Sequence, residues 1–331
     1  MRVLAGDIGG TNTRLQIAEC EPGRCRIIRD QRFESGSYDG LASILREFLK
    51  EERKKTVDGA CLGVAGPVKE AAAGQSVKVT NLPWEIVSQE LAREFGFPGV
   101  RLINDFQAIG YGIEALTRGD LFILQQGDPV PRAPCAVIGA GTGLGQGILL
   151  WQRDHYEPVA TEGGHADFGP TNDLQIELAR YLLKTVGRAS YELIVSGHGL
   201  VRLYGFLKTR GEATESPAVA EALKSGDAAA AITRAALDQN DALANQALNL
   251  FVDIYGAQAG NLALTAGALG GVYIAGGIAP KILPRLTDGR FMRAFLDKGK
   301  MSPYVATIPV RVVTDPDVGL TGAALAASRM T

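Results

Sequence analysis

Cysteine is scarce in this chain of 331 residues: Cys20, Cys25, Cys61 and Cys135 are scattered, with no C-x-x-C and no run of Cys with His. This argues against a zinc site and a disulfide frame, so all four are expected as free thiols in a reducing compartment. An excess of charge is also lacking. Lys plus Arg is 34 and Asp plus Glu is 36, a net charge of −2, which speaks against a whole-chain binder of nucleic acid or anionic membrane. Long unbroken apolar runs are missing too. The charge-free stretches Ala133–Gln152 and Ile254–Pro280 contain five and seven glycines and read as strand–turn elements rather than membrane spans. The opening MRVLAGDIGGTN has no long apolar stretch and an early acid, so it does not read as a signal peptide. The expected location is cytoplasmic.

Several catalytic signatures are absent. Ser196 has Ile194 where a nucleophile elbow needs glycine, and none of the three histidines sits in H-E-x-x-H. The only Gly-Lys pair, Gly299-Lys300, is followed by Met301, so there is no Walker A loop. The glycine run at Gly139–Gly145 fails the dinucleotide fingerprint, with Leu144 or Ile148 where its last glycine belongs.

What the chain does have is glycine, 41 residues of it, in a background that is 46% hydrophobic and 21% charged. That composition is globular, and the length suggests about two domains at roughly 150 residues each. Strands are predicted at Arg2–Asp7, Thr13–Cys20 and Cys25–Phe33, then a helix at Tyr38–Arg53. A strand at Gly59–Ala65, a helix at Trp84–Phe95, a strand at Val100–Ile103 and a helix from Asp105 follow. The pattern restarts with strands at Ala136–Ile138, Gln146–Trp151 and Tyr156–Ala160, then helices over 173–267, strands at Gly271–Ala275 and Val310–Val313, and a helix at Leu320–Ser328. Alternating strands and helices indicate an α/β class with mixed sheets, and the repeated strand–glycine turn–strand suggests two related halves. The alanine-rich, charged segment Thr209–Asn240 is expected as a surface helical insertion.

Certain residues carry candidate chemistry. Asp7-Ile8-Gly9-Gly10-Thr11-Asn12 lies between two strands. Its backbone N–H groups and the Thr11 and Asn12 side chains can cradle phosphate, and Asp7 can hold a magnesium ion; the plain reading is a glycine hairpin. Gly139-Ala140-Gly141-Thr142-Gly143 is a second such turn. Asn104 and Asp105 follow an apolar strand at a strand-to-helix junction, where Asp105 can be a general base or a helix N-cap. Glu162, His165 and Asp167 surround Gly163-Gly164, a grouping suited to sugar hydroxyls, to a metal, or to a merely polar loop. Glu192 precedes Ser196-Gly197-His198-Gly199 and is a further candidate carboxylate. Gly276-Gly277 ends a strand where a nucleoside could lie flat, or where a helix packs close.

In order and spacing, eight segments together resemble the bacterial-type glucokinase family of the hexokinase and actin-like ATPase superfamily. They are GDIGGTN (Gly6–Asn12), AGPV (Ala65–Val68), TNLPW (Thr80–Trp84), INDF (Ile103–Phe106), GAGTGLG (Gly139–Gly145), EGGHADF (Glu162–Phe168), E-x-x-x-S-G-x-G-L (Glu192–Leu200) and GGVYIAGGI (Gly270–Ile278). The resemblance spans nearly the whole chain. It implies two ribonuclease-H-like domains around a central cleft, a small one of 1–113 plus 317–331 and a large one of 114–316. It implies phosphorylation of glucose at the 6-hydroxyl by ATP with Mg²⁺, in a homodimer. By the same resemblance, Asp7, Gly9, Gly10, Thr11, Asn12, Gly139, Gly141, Thr142 and Gly143 hold phosphates, with Asp7 at the metal and Gly276 and Gly277 at the adenosine. Asn81, Asn104, Asp105, Glu162, His165 and Glu192 bind the sugar, and Asp105 is the base. No cysteine-rich segment follows His165, so the zinc motif of the related repressor–kinase group is not expected. A kinase for another hexose or an N-acetylhexosamine, and a non-catalytic sugar sensor of the same fold, stay open as alternatives. The sensor would normally need a DNA-binding unit, and the charge is not basic.

Overall fold

Val3, Leu4, Ala5 and Ile8 are fully buried, because the first strand runs through the middle of a sheet covered on both faces. The computed structural model describes residues 1–21, 23–50, 57–71, 74–224 and 226–330. In chain order the elements begin β1 (Arg2–Ile8), β2 (Asn12–Glu21), β3 (Arg24–Glu34), α1 (Leu41–Leu49), β4 (Gly59–Val64), β5 (Lys69–Ala71), β6 (Gly74–Lys78), β7 (Glu85–Val87), α2 (Ser88–Phe95), β8 (Val100–Asn104) and α3 (Asp105–Gly112). They continue with β9 (Leu121–Gln125), β10 (Cys135–Ala140), β11 (Leu144–Gln152), β12 (His155–Thr161), α4 (Asp173–Val186), α5 (Gly197–Arg210), α6 (Pro217–Ala222), α7 (Ala228–Asp238) and α8 (Ala242–Ala266). The remainder is β13 (Gly271–Ala275), α9 (Leu283–Leu286), α10 (Arg290–Leu296), α11 (Ser302–Ala306), β14 (Val310–Val313) and α12 (Val318–Ser328).

The chain divides into two units. The first comprises Met1–Gly119, Gln152–Ala160 and Asp315–Thr331. Its sheet has the order β3-β2-β1-β4-β8, with β1 antiparallel to β2 and parallel to β4. Side chains alternate along β1. Leu4 and Ile8 enter one core with Leu41, Ile44 and Phe48, while Val3 and Ala5 enter the other with Ala108, Tyr111, Leu320 and Ala323. Asp7 therefore shares its face with the second core, the one beneath α3 and α12. Those two helices meet at glycines: a Cβ on Gly322 would fall on the Ala108 carbonyl oxygen, and one on Gly112 on the Val318 carbonyl oxygen.

The second unit comprises Asp120–Trp151 and Thr161–Thr314. Its strands run β11-β10-β13-β14-β9. Again a central strand, β10, is antiparallel to its hairpin partner β11 and parallel to β13. The arrangement repeats that of β2, β1 and β4. Helix α8 is buried along most of its length and carries the core with α5, α7 and α10. Among the described residues no helix is long and apolar enough to cross a membrane.

Some expectations are corrected here. Cys20 and Cys25 form a disulfide rather than staying free, because the β2–β3 register sets them directly opposite, with Cα atoms 4.0 Å apart. Cys61 and Cys135 are buried and form no disulfide. The helix expected at Trp84–Phe95 starts only at Ser88, since Glu85–Val87 pairs with β6 instead. The helix expected to reach Arg53 ends at Leu49, and residues 51–53 lie outside the described residues. The expected division at 113 and 317 shifts to Gly119 and Asp315, and Gln152–Ala160, expected in the large domain, belongs to the first unit. Thr209–Asn240 is helical as expected but is not a surface insertion. Val219, Ile232, Ala235 and Ala236 are buried in the second unit's core.

Candidate active site

In the first unit, the Gly9–Asn12 turn closes the β1–β2 hairpin. The Gly9 N–H donates to the Asn12 carbonyl at 2.9 Å. Ser35 is fully buried behind the turn; its Oγ–H donates to the Gly9 carbonyl at 2.9 Å and its N–H to the Thr11 carbonyl at 3.0 Å. Gly10 lies against the next turn, where a Cβ would come within 2.9 Å of the Thr80 carbonyl oxygen and 3.3 Å of Asn81 Cβ. Asn81 itself has φ 64°, a left-handed conformation that asparagine tolerates better than most residues. Thr11 is exposed and Asn12 half-buried at the lip of the turn.

Asp105 is the first residue of α3, and Asn104, not Asp105, is the N-cap. Asn104 Oδ1 accepts from the Gln107 N–H at 2.6 Å, and Gln107 Oε1 accepts from the Asn104 N–H at 3.3 Å, completing a capping box. With the cap filled by its neighbour, the Asp105 carboxylate is exposed, and one oxygen accepts from the Phe106 N–H at 3.0 Å. Asp7 senses it. Asp7 keeps solvent contact at the end of β1 but is recessed among protein atoms on its other sides, and burial first, then the Asp105 charge, raise its pKa to about 6. Arg14, directly opposite on β2, works against this rise. Its guanidinium is held by Asp30 at 2.7 Å and by Asp317, the N-cap of α12. Those hydrogen bonds lock Arg14 in its charged form.

In the second unit, backbone bonds draw distant segments together. The Glu192 N–H donates to the Gly164 carbonyl at 2.8 Å and the Tyr191 N–H to the Ala166 carbonyl at 3.1 Å. The Arg188 guanidinium donates to the His165 carbonyl at 2.9 Å and to Asp167 at 3.1 Å. The Glu162–Asp167 segment is thus a braced element rather than a loose polar loop. His165 lies between two carboxylates, Nδ1 at 3.5 Å from Glu192 and Nε2 at 3.9 Å from Glu162. The other Glu192 oxygen accepts from the Leu144 N–H at 3.1 Å.

Leu144 ends the turn Gly141–Gly143 that joins β10 to β11. Within it the Gly141 N–H donates to the Gly143 carbonyl, and the Gly141 carbonyl accepts from the Gly197 N–H at the start of α5, both at 2.8 Å. Gly139 is buried within β10, opposite Gly145 and Ala275; Thr142 is exposed at the tip. The glycines differ in what demands them. Gly276, at φ 82°, would place a Cβ 2.6 Å from the Ala140 carbonyl oxygen, so the fold requires it. Gly141 and Gly277 have ordinary φ, and a Cβ on either meets no atom of the chain within 4 Å. Packing does not explain those two.

The structure thus groups Asp7, Gly9–Asn12, Asn81, Asn104 and Asp105 in the first unit. It groups Gly139–Gly143, Glu162, His165, Glu192, Gly276 and Gly277 in the second. Sequence reasoning missed Ser35, whose only signal was a Ser-Gly-Ser after a strand.

The family model for glucokinase matches residues 4–330. The glucokinase of Nostoc sp. (strain PCC 7120) is 45% identical over 99% of each chain, and that of Cronobacter sakazakii is 37% identical over 97% of this chain and 95% of its own. The crystal structure of a glucokinase from an Antarctic psychrotroph matches with a TM-score of 0.86 at 32% identity, covering 99% of this chain and 98% of that one. At 21% identity, a ROK family glucokinase from Streptomyces griseus in complex with glucose and AMPPNP shares the fold, with a TM-score of 0.64 over 99% of this chain and 100% of that one. Two hairpin-led mixed sheets, the ordered motifs and matches along the whole length lead to one conclusion: the chain belongs to the glucokinase family.

Proposed function

We propose that this chain transfers the γ-phosphoryl group of ATP to the 6-hydroxyl of glucose, with Asp105 as the general base. The observation that carries the role of Asp105 is the capping box. Because Asn104 caps α3, Asp105 presents an exposed carboxylate at the end of a strand, where the hydroxyl proton can pass to it as the O–P bond forms. Phosphoryl transfer asks a protein mainly for positioning and charge stabilisation. In the second unit Glu162, His165 and Glu192 bind sugar hydroxyls in this reading, and in the first unit Asn81 and the Asn104 amide nitrogen have the same role. The turns Gly9–Asn12 and Gly139–Gly143 offer backbone N–H groups to phosphates, and Gly276-Gly277 offers a flat backbone to the nucleoside.

Asp7 fits Mg²⁺. It is a recessed carboxylate next to a second negative charge, and its countercharge Arg14 is already committed to Asp30 and Asp317. A hard cation held by one or two carboxylates and substrate phosphates is the usual magnesium arrangement. When bound, the ion would neutralise charge on the phosphates. The family resemblance adds a cytoplasmic homodimer to this reading, and light scattering on the purified protein tests its mass.

The test of function is NADPH formation with MgATP, glucose and coupled glucose-6-phosphate dehydrogenase. Mannose, fructose and N-acetylglucosamine are run beside it by ADP release. Glucose turnover is expected, and Asp105→Asn should cut kcat by about 10²–10⁴ while leaving the circular dichroism spectrum unchanged. An Asp105→Asn enzyme with wild-type kcat would overturn the assignment of the base. ADP release on another sugar but not on glucose would overturn the acceptor.

A further inference from the structure

β10 and β13 run parallel in register from Cys135↔Gly271 to Gly139↔Ala275, and then part. Gly276 turns its chain away at φ 82°. Ala140, one residue past the last pair, points its N–H and C=O toward the side where β13 has ended. The carbonyl accepts from the Ile278 N–H at 3.2 Å. The N–H, which the Gly139↔Ala275 pair sets against the Ala275 carbonyl, also donates to the Tyr255 hydroxyl oxygen at 3.3 Å, and that hydroxyl donates to the Ile138 carbonyl at 3.4 Å. A phenol from helix α8 therefore bridges the Ala140 N–H and the Ile138 carbonyl at the point where two ligand-approachable turns diverge.

Tyr255 is fully buried, and its ring is held edge-on between Phe251 and Phe291, with centroids 5.9 and 5.5 Å away. Burial pushes the phenol pKa up, so the hydroxyl keeps its proton and stays a donor. The next residue, Gly141, opens the turn; its carbonyl is tied to the Gly197 N–H, and the far end of the turn is tied through Leu144 to Glu192.

We infer that Tyr255 is a positioning residue of the nucleotide site, its hydroxyl setting Ala140, and with it the Gly141–Gly143 turn, at a defined separation from Gly276-Gly277. The inference rests on the reading that phosphates occupy the first turn and the nucleoside the second. Tyr255 touches no substrate. Its effect passes through the Ala140 N–H and the Ile138 carbonyl, which lose their bridge without the hydroxyl and hold the strand end less firmly.

The experiment compares three variants with the wild-type enzyme. Tyr255→Phe keeps the ring and its packing. Its KM for ATP and its dissociation constant for AMPPNP by calorimetry are expected to rise about three- to tenfold, the scale of one neutral hydrogen bond, with the KM for glucose within about twofold. Phe251→Leu disturbs the same aromatic layer without touching the hydroxyl; it should lower Tm and leave the KM for ATP alone. Gly277→Ala tests the underlying reading by itself, and should raise the KM for ATP with Tm unchanged. Wild-type nucleotide constants in Tyr255→Phe, an equal rise in both KM values, or the same ATP shift in Phe251→Leu would each overturn the role of Tyr255. If Gly277→Ala also binds ATP normally, the nucleotide reading falls and takes the inference with it.

Discussion

One oxygen of Glu192 accepts from the Leu144 N–H at 3.1 Å while the other faces His165 Nδ1 at 3.5 Å. A single carboxylate thus joins the segment read as sugar-binding to the end of the turn read as phosphate-binding. Gly143 is part of the same fit, since a Cβ there would come within 2.6 Å of the Glu192 oxygen. Glu192→Gln keeps the shape but weakens a charge-assisted bond and can present an N–H to an N–H. It is expected to raise the KM for glucose at least tenfold, on the order of a lost hydrogen bond to a charged group, and to raise the KM for ATP as well. Steady-state kinetics with each substrate varied in turn checks this; a change confined to glucose would show that the Leu144 contact carries no coupling.

Asp7 should lower stability in proportion to its ionisation. Its folded pKa is raised to about 6 from an ordinary 3.8, so between those values the folded state binds more protons than the unfolded state. Its contribution is favourable below about pH 4 and is lost as pH rises through about 6. Asp7→Asn removes that penalty. The variant is expected to melt higher than wild type at pH 8, with the gain shrinking toward pH 4, while activity collapses. Calorimetric Tm values across that range check the sign; a gain that grows as pH falls would contradict it.

The α3–α12 contact tolerates no side chain at its closest points. Gly322→Ala would drive a methyl group into the Ala108 carbonyl oxygen, which is backbone and cannot rotate aside. Overpacking of this kind costs about 1–3 kcal/mol. Because α3 begins at Asp105, the displaced helix should also lose kcat. Urea denaturation should show a lower midpoint and assays a lower kcat, whereas Ala323→Gly on the same helix should lose stability with little kinetic effect.

The cysteines give a count that is easy to read. Cys20 and Cys25 are joined, and Cys61 and Cys135 are buried, Cys61 with its thiol pushed up to about 12 by burial. Native protein prepared without reductant should react negligibly with Ellman's reagent. Unfolded without reductant it should release two thiols, and after reduction four. Four thiols without reductant would show that the pair is not joined.

Much of the site was legible because its residues sit in short segments whose local chemistry is self-contained. Gly9-Gly10 between two strands, and Asn104-Asp105 after an apolar strand, announce a turn and a helix start from sequence alone. Which of the two caps the helix was not legible there, since Asn and Asp both cap helices well and the answer depends on which one meets the Gln107 N–H. Ser35 and Tyr255 stayed hidden for a different reason. Each bonds through one hydroxyl to a backbone group far away in sequence, and neither leaves a local pattern.

Sequence by itself determined the class, the alternation of strands with helices, the two glycine turns and the set of polar residues beside them, because periodicity and turn chemistry are properties of neighbouring residues. It misjudged the cysteines, whose pairing depends on hairpin register, and the Thr209–Asn240 segment, whose apolar positions find their partners on α5 and α8. Only tertiary structure decided that Glu192 reaches Leu144, that Asp7 answers to Asp105, and that the Tyr255 hydroxyl bridges Ala140 and Ile138. Those relations depend on distances between segments tens of residues apart, and such distances are set by packing, not by local sequence.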